Sequence, residues 1–364
     1  MKTVFAILLA LAAIPATAAD NDLSAHIVLF HAVDQKPPVE HAARLASLGE
    51  YTEAFLAKEM RRWKKSIERT KIFARDAKGK IRVTVVSGKL ASTGRDALPQ
   101  INIRAMREAG KQLRIPSGRP VVWWVFYDYP DVKGFRGGAR GMGGMAINAY
   151  PAGEGALDLT QDLASPEFAT AAIKGMVHEF GHALGLPHIG PRPGRKLGNS
   201  LMGPVNRAYW GKTGSDEQRV YLSEVSAAML WKHPIFQVSK SEEPEPVKIE
   251  TENLKAHEVD GQIVIEGIVS AENKAHTAVV LDSERGRFGD YWARPYVGKI
   301  DPQSGEFRVV IEEPYNRGML HLSFSLVNGS TTDGTKPFQR GSDLRFSYQG
   351  KSGSRKISRP ANAR

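Results

Sequence analysis

Residues 178–188 read H-E-F-G-H-A-L-G-L-P-H and gather three of the chain's ten histidines around Glu179. Three imidazoles beside a carboxylate are poor core material, so the stretch asks for another reason to exist. On a helix, His178 and His182 stand four residues apart and project from one face, close enough to bind one ion. Gly185 lets the chain leave that helix sharply, so that His188 returns as a third ligand. Glu179, the neighbour of His178, reaches a water on the same ion. Three histidines with one open position make a catalytic zinc site rather than a closed structural one, and one Zn²⁺ is expected.

Outward from the motif the chain reads as alternating strands and helices. A-H-I-V-L-F-H-A-V-D (25–34) has the composition of a buried strand. Leu45, Leu48, Phe55, Met60, Trp63 and Ile67 then recur near a helical period, which predicts one long amphipathic helix over 39–70. I-R-V-T-V-V-S-G (81–88) is a second strand, 98–113 a helix, and V-V-W-W-V-F-Y-D (121–128) an almost wholly apolar central strand. The glycines of 134–150 have no P-loop lysine and open no helix promptly. A sheet-edge hairpin, where glycine admits a second backbone, explains them better. Ser165, Pro166 and Glu167 carry the marks of a helix start, and that helix is expected to run through Met176 and His182 to Gly185. A further helix is expected from Ser215, with Gln218 as its capping-box partner, to about Lys232.

Past a charged, proline-containing linker at 239–247 the pattern changes to short β-rich runs such as Q-I-V-I-E-G-I-V and L-H-L-S-F-S-L-V. Their spacing predicts an all-β sandwich over 248–350, independent of an α/β domain at 20–238. Residues 351–364 read as a disordered basic tail.

With these elements in place, H-E-x-x-H-x-x-G-x-x-H resembles the signature of the metzincin zinc peptidases. That group carries a tight methionine turn beneath the metal, and N-S-L-M-G-P (199–204) places Met202 in such a turn. The order of strand, long helix, strands, edge hairpin and active-site helix over roughly 25–235 is similar to the metzincin layout. The resemblance implies an α+β fold with a twisted mixed sheet. It implies an endopeptidase in which Glu179 is the general base, with His178, His182 and His188 on zinc. It also implies an extended peptide substrate laid along an edge strand within 134–148. Two positions depart from the subfamilies. Ile189 follows the third histidine where several carry an acidic marker. Pro204 stands where astacin-like and serralysin-like enzymes place a tyrosine near zinc; Tyr209 could substitute, but a tyrosine packed in a post-turn loop is the commoner outcome.

Composition bounds the rest. With 41% hydrophobic and 24% charged residues, the 364-residue chain has the balance of a soluble globular protein. Its first nineteen residues combine Lys2, an apolar run from Val4 to Ile14 and Ala16-Thr17-Ala18 before Asp20, the build of a secretory signal peptide. No later segment is apolar enough to span a bilayer. The chain has no cysteine, which removes disulfides, thiol catalysis, thiolate zinc sites and a matrixin-type cysteine latch together. A secreted or periplasmic bacterial protein is the expectation. The net charge of +11 is spread over dispersed clusters with no nucleic-acid motif, so no nucleic-acid partner is expected. Asp128, Asp131, Asp158 and Asp162 lack a calcium-loop spacing and do not support a Ca²⁺ site.

Two rival readings remain at this level. Glu217 or Glu224 would replace His188 as third ligand in an enzyme with a distant glutamate. Alternatively, the sandwich would bind a cell-surface polymer, with Tyr291 and Trp292 of G-D-Y-W-A-R-P-Y as contacts and the zinc site vestigial.

Overall fold

The computed structural model describes residues 23–92, 98–129, 134–140, 143–151, 153–238, 249–271, 274–284, 290–332 and 344–359. The leader at 1–19 and the linker at 239–247 lie outside them.

The first half is built on β1 (Ala25–His31), α1 (His41–Arg62), β2 (Val83–Ser87), α2 (Leu98–Gln112), β3 (Val122–Asp128), β4 (Arg136–Arg140) and β5 (Gly143–Ala149). Among the described residues these strands make a five-stranded sheet in the order β2-β1-β3-β5-β4. The first four run parallel, while β4 lies antiparallel to β5 and closes one edge. The apolar V-W-W-V-F-Y run is central as its composition requires, buried from Val122 to Tyr127 with α1 on one face and α2 on the other. The mixed sheet and the glycine hairpin follow the sequence reading.

α1 is shorter than its periodicity predicts. The backbone turns left-handed at Lys64 (φ 56°), and the amides of Glu68 and Arg69 donate to the Phe236 carbonyl rather than continuing a helix. The expected single helix from Ser165 is two: α3 (Pro166–Thr170), capped by the Ser165 hydroxyl, and α4 (Ile173–Ala183), separated by Ala172 at φ 55°. After the break α4 packs against β4 and β5 of the hairpin.

After α4 come β6 (Asn199–Ser200), α5 (Asn206–Thr213), β7 (Val220–Tyr221) and α6 (Glu224–Leu230). The helix expected from Ser215 is therefore misplaced. Ser215 caps only a turn, accepting from the Glu217 amide, and Ser223 is the true N-cap, accepting from the Ser226 amide. Buried Val220 and Tyr221 decide this, because pairing with Asn199 and Ser200 gives their backbone groups partners that a helix there would forfeit.

The second half is antiparallel throughout: β8 (Ile249–Val259), β9 (Gln262–Ala271), β10 (Ala275–Ser283), β11 (Arg294–Lys299), β12 (Glu306–Ile311), β13 (Arg317–Leu326), β14 (Thr331–Thr332), β15 (Arg345–Gln349) and β16 (Lys356–Ser358). Sheets β12-β9-β8 and β11-β10-β13-β15-β16 enclose a core of Ile263, Ile265, Val309, Leu322 and Phe324. β16 corrects the expectation of a wholly disordered tail, since Tyr348 pairs with Ile357 at the end of that sheet.

Independence of the two halves is also overturned. Val279, Leu281 and Ala293 belong to the apolar cluster that contains Val177, Phe180 and Met202 of the first half. Alternate residues of β10 thus face two cores, Ala278 and Val280 inward to the second half and Val279 and Leu281 toward the first. Among the described residues, no helix is long and apolar enough to cross a membrane.

Candidate metal centre

α4 carries the motif on a helix that is buried along most of its length, with Met176, Val177 and Phe180 in the core. Phe180 stacks on Trp124 at 4.7 Å between ring centroids and on Phe73 at 5.2 Å, which locks the helix rotation against β3. That rotation turns His178 and His182 the other way. Gly185 follows at φ 87°, where a side chain would be strained, and the chain doubles back. His188 then lies beside the helix.

The three imidazoles converge. His178 and His182 have centroids 4.6 Å apart, His182 and His188 4.7 Å, and one ligand atom from each lies within 4.8 Å of the others. His178 Nδ1 donates to the Leu201 carbonyl at 2.8 Å and His182 Nδ1 to the Leu186 carbonyl at 2.7 Å. A proton fixed on Nδ1 makes Nε2 the lone-pair atom, the tautomer a metal ligand needs. Burial, with His182 next in effect, pushes the His178 imidazole down to about 3, so it is neutral at ordinary pH. Neutral, pre-oriented nitrogens in an otherwise apolar setting fit a metal ion of borderline softness. Neither Glu217, paired with Arg219 at 2.5 Å, nor Glu224, 3.9 Å from Arg192, belongs to this cluster.

Met202 packs against α4, the helix that carries the first two histidines. It is fully buried, and a Cβ on Gly181 would come within 2.5 Å of its sulfur, so only glycine at that point of α4 admits the thioether. The Met202 carbonyl accepts from the Ile189 amide at 3.0 Å, tying the turn to the residue after the third histidine. On the opposite side the glycine hairpin presses on the same helix. A Cβ at Gly144 would fall 1.9 Å from the Ala183 carbonyl oxygen. One at Gly137 would fall 2.3 Å from the Glu179 carbonyl oxygen and 3.0 Å from Glu179 Oε2. The edge strand β4 therefore runs directly past the carboxylate. Burial alone pushes that carboxyl up to about 7.

Sequence reasoning missed two groups here. Lys174, one turn before His178, is buried, and its ammonium donates to the Pro204 carbonyl. Desolvation brings it down to about 7 from 10.5. A lysine in a helix pattern looks like a solvated face, so nothing local marks it. Because its folded value is depressed, the unfolded chain binds the extra proton between pH 7 and 10.5, and this group makes stability rise with pH across that window. Asn199 also donates to the Pro204 carbonyl, so Lys174→Met would leave that oxygen paired. We expect Lys174→Met to raise Tm by about 5 °C at pH 6 and by little above pH 10, read by thermal unfolding at both values.

The second missed group is Tyr291. Its ring stacks on His188 with centroids 3.7 Å apart and planes at 27°, and lies 5.9 Å from His178. Tyr209, weighed from the sequence as a substitute near the metal but more often packed after the turn, is buried on α5. Trp292 lies under the Lys212 ammonium, 4.0 Å from its ring centroid. Both aromatics of the polymer-binding reading thus face the first half of the chain.

No family model matches the chain, and no curated protein matches it in sequence. Solved structures do. Wild-type OgpA from Akkermansia muciniphila superposes with a TM-score of 0.68 at 20% identity, over 92% of this chain and 95% of that one. A catalytically inactive OgpA in complex with an O-glycopeptide substrate, glycodrosocin, gives 0.68 at 19% identity over the same shares. A second crystal form of the wild-type protein gives 0.65 at 19% identity, over 93% of this chain and 95% of that one. The fold shared is that of both halves, the mixed α/β sheet domain and the antiparallel β domain together.

Proposed function

We propose that this protein is a secreted, zinc-dependent endopeptidase of metzincin type that cuts O-glycosylated peptides. The observation that carries the reading is the convergence of His178, His182 and His188 beside Glu179. The fold in common with OgpA, whose inactive form binds an O-glycopeptide substrate, supports it. Residues 20–238 would form the peptidase unit and 248–350 the accessory unit, with 1–19 removed on export.

Zinc held by His178, His182 and His188 would lower the pKa of a bound water and polarise the scissile carbonyl. Glu179 takes the proton of the attacking water and hands it to the departing amine. Its high-lying carboxyl, set by burial, is a ready proton carrier, and a dication beside it favours the ionised form needed at the start. The edge strand β4 pairs with the extended substrate, and Gly137 lets the substrate backbone lie close to Glu179. A vestigial site is disfavoured because the chain keeps Glu179 next to three converging histidines.

Matched peptides with and without a single O-glycan on Ser or Thr test this directly, with products read by mass spectrometry and a chelator control. The expected result is cleavage of the glycosylated peptide beside its glycan, lost on chelation. Equal cutting of both peptides would remove the glycan from the reading. Cutting that survives complete zinc removal would remove the metal.

A further inference from the structure

The mature metal site is built by both halves of the chain, and the second half's share is concentrated on the residue that holds the third ligand. His178 and His182 are oriented by their helix and by carbonyls of the first half. His188 sits on the irregular segment between α4 and β6, where no helix or sheet fixes it. Two backbone bonds pin this segment just past the histidine. Ile189 donates to Met202, and Gly190 donates at 2.8 Å to the carbonyl of Ala293 in the second half. A Cβ on Gly190 would meet the Trp292 backbone at 2.7 Å, so the two stretches touch as closely as glycine allows. Arg192, two residues on, pairs with Glu312 at 2.9 Å and lies 5.3 Å from the Tyr296 ring centroid. The facing segment is itself held by hydrogen bonds. Asp290 accepts from the Trp292 amide and from Ser283, and Tyr315 donates to the Trp292 carbonyl.

Tyr291 stands in the middle of this clasp with its ring flat against the His188 imidazole. We propose that Tyr291 is a positioning residue of the metal centre, its ring holding the His188 imidazole in the orientation in which it faces the other two histidines. The second domain thereby sets how tightly the metal is kept. The inference rests on the metal-site reading above. It assigns the ring, not the hydroxyl, as the working part, because a stacked contact restricts imidazole rotation through its face.

The test is made on the full mature chain with zinc and cobalt(II) as probes. Tyr291→Ala and Tyr291→Phe are compared with the unaltered protein by chelator competition for zinc and by the visible spectrum of the cobalt form. Tyr291 is 43% exposed, so both variants are expected to fold, and an unchanged far-ultraviolet circular dichroism spectrum checks it. Tyr291→Ala should weaken zinc binding by about 10- to 100-fold, the usual effect of removing a group that orients a ligand, and should alter the cobalt bands. Tyr291→Phe, which keeps the stack, should restore both to within about threefold of the unaltered protein, the margin left once that orienting contact is kept. Wild-type zinc affinity and cobalt bands in Tyr291→Ala would overturn the proposal, as would a Tyr291→Phe as weak as Tyr291→Ala. Failure of the unaltered protein to bind zinc would instead overturn the metal-site reading itself.

Discussion

Glu179→Gln is expected to bind zinc like the unaltered protein and to lose peptide cleavage by a factor on the order of 10³, within the range for removal of a general base. Glutamine keeps the size of the side chain, so the close pass of Gly137 over this residue is preserved and the helix should not shift. It takes no proton at any working pH. Burial has already set Glu179 apart from an ordinary surface glutamate, with a carboxyl pushed up to about 7 where it can both accept and return a proton. Measuring zinc content beside cleavage of a glycosylated peptide separates chemistry from binding. Full zinc occupancy with cleavage within tenfold of wild type would remove Glu179 from the mechanism.

The second large effect concerns the ion and the fold together. The triad draws ligands from α4 and from the segment beyond Gly185, so an ion joining them cross-links two stretches that otherwise meet through Met202 and the second domain. Zinc at about a thousand times its dissociation constant would stabilise the folded state by ~4 kcal/mol. For a chain of this size that is roughly 5 °C in Tm. His182→Ala leaves two ligands, and the zinc-dependent rise should shrink to within about 2 °C in the same linkage relation. Differential scanning calorimetry with zinc and with chelator reads it. An equal rise in wild type and His182→Ala would mean that zinc binds elsewhere.

How much of this was readable from the residues depends on the range over which the information is held. Local rules sufficed for the central strand, whose apolar run admits no exposed face, and for Ser165-Pro166 as a helix start. The motif at 178–188 was legible because its five fixed positions are close in sequence, and the structure brings its three histidines together. The hairpin was legible because glycines without a phosphate-loop lysine left close backbone approach as their use, and Gly137 and Gly144 are so used. What failed was decided by distant partners. Ser215 and Ser223 offer similar capping chemistry, and only the pairing of Val220 and Tyr221 with Asn199 and Ser200 chooses between them. Nothing local to Ala172 announces its left-handed turn. Tyr291 lies about a hundred positions from His188, in a run where an aromatic is ordinarily core or surface, so no spacing rule reaches it.

The sharing of one apolar cluster between Phe180 and Leu281 also sets an order of events during biogenesis. A chain threaded out amino end first presents its histidines long before β10 and the Asp290–Ala293 turn emerge. Until then the cluster around α4 lacks Val279, Leu281 and Ala293, and the loop bearing His188 lacks its Gly190 anchor. If the triad is the working site, it would be complete only when most of the chain has been made. On the proposed reading, a nascent chain would carry its three histidines before the contacts that hold the His188 segment are made.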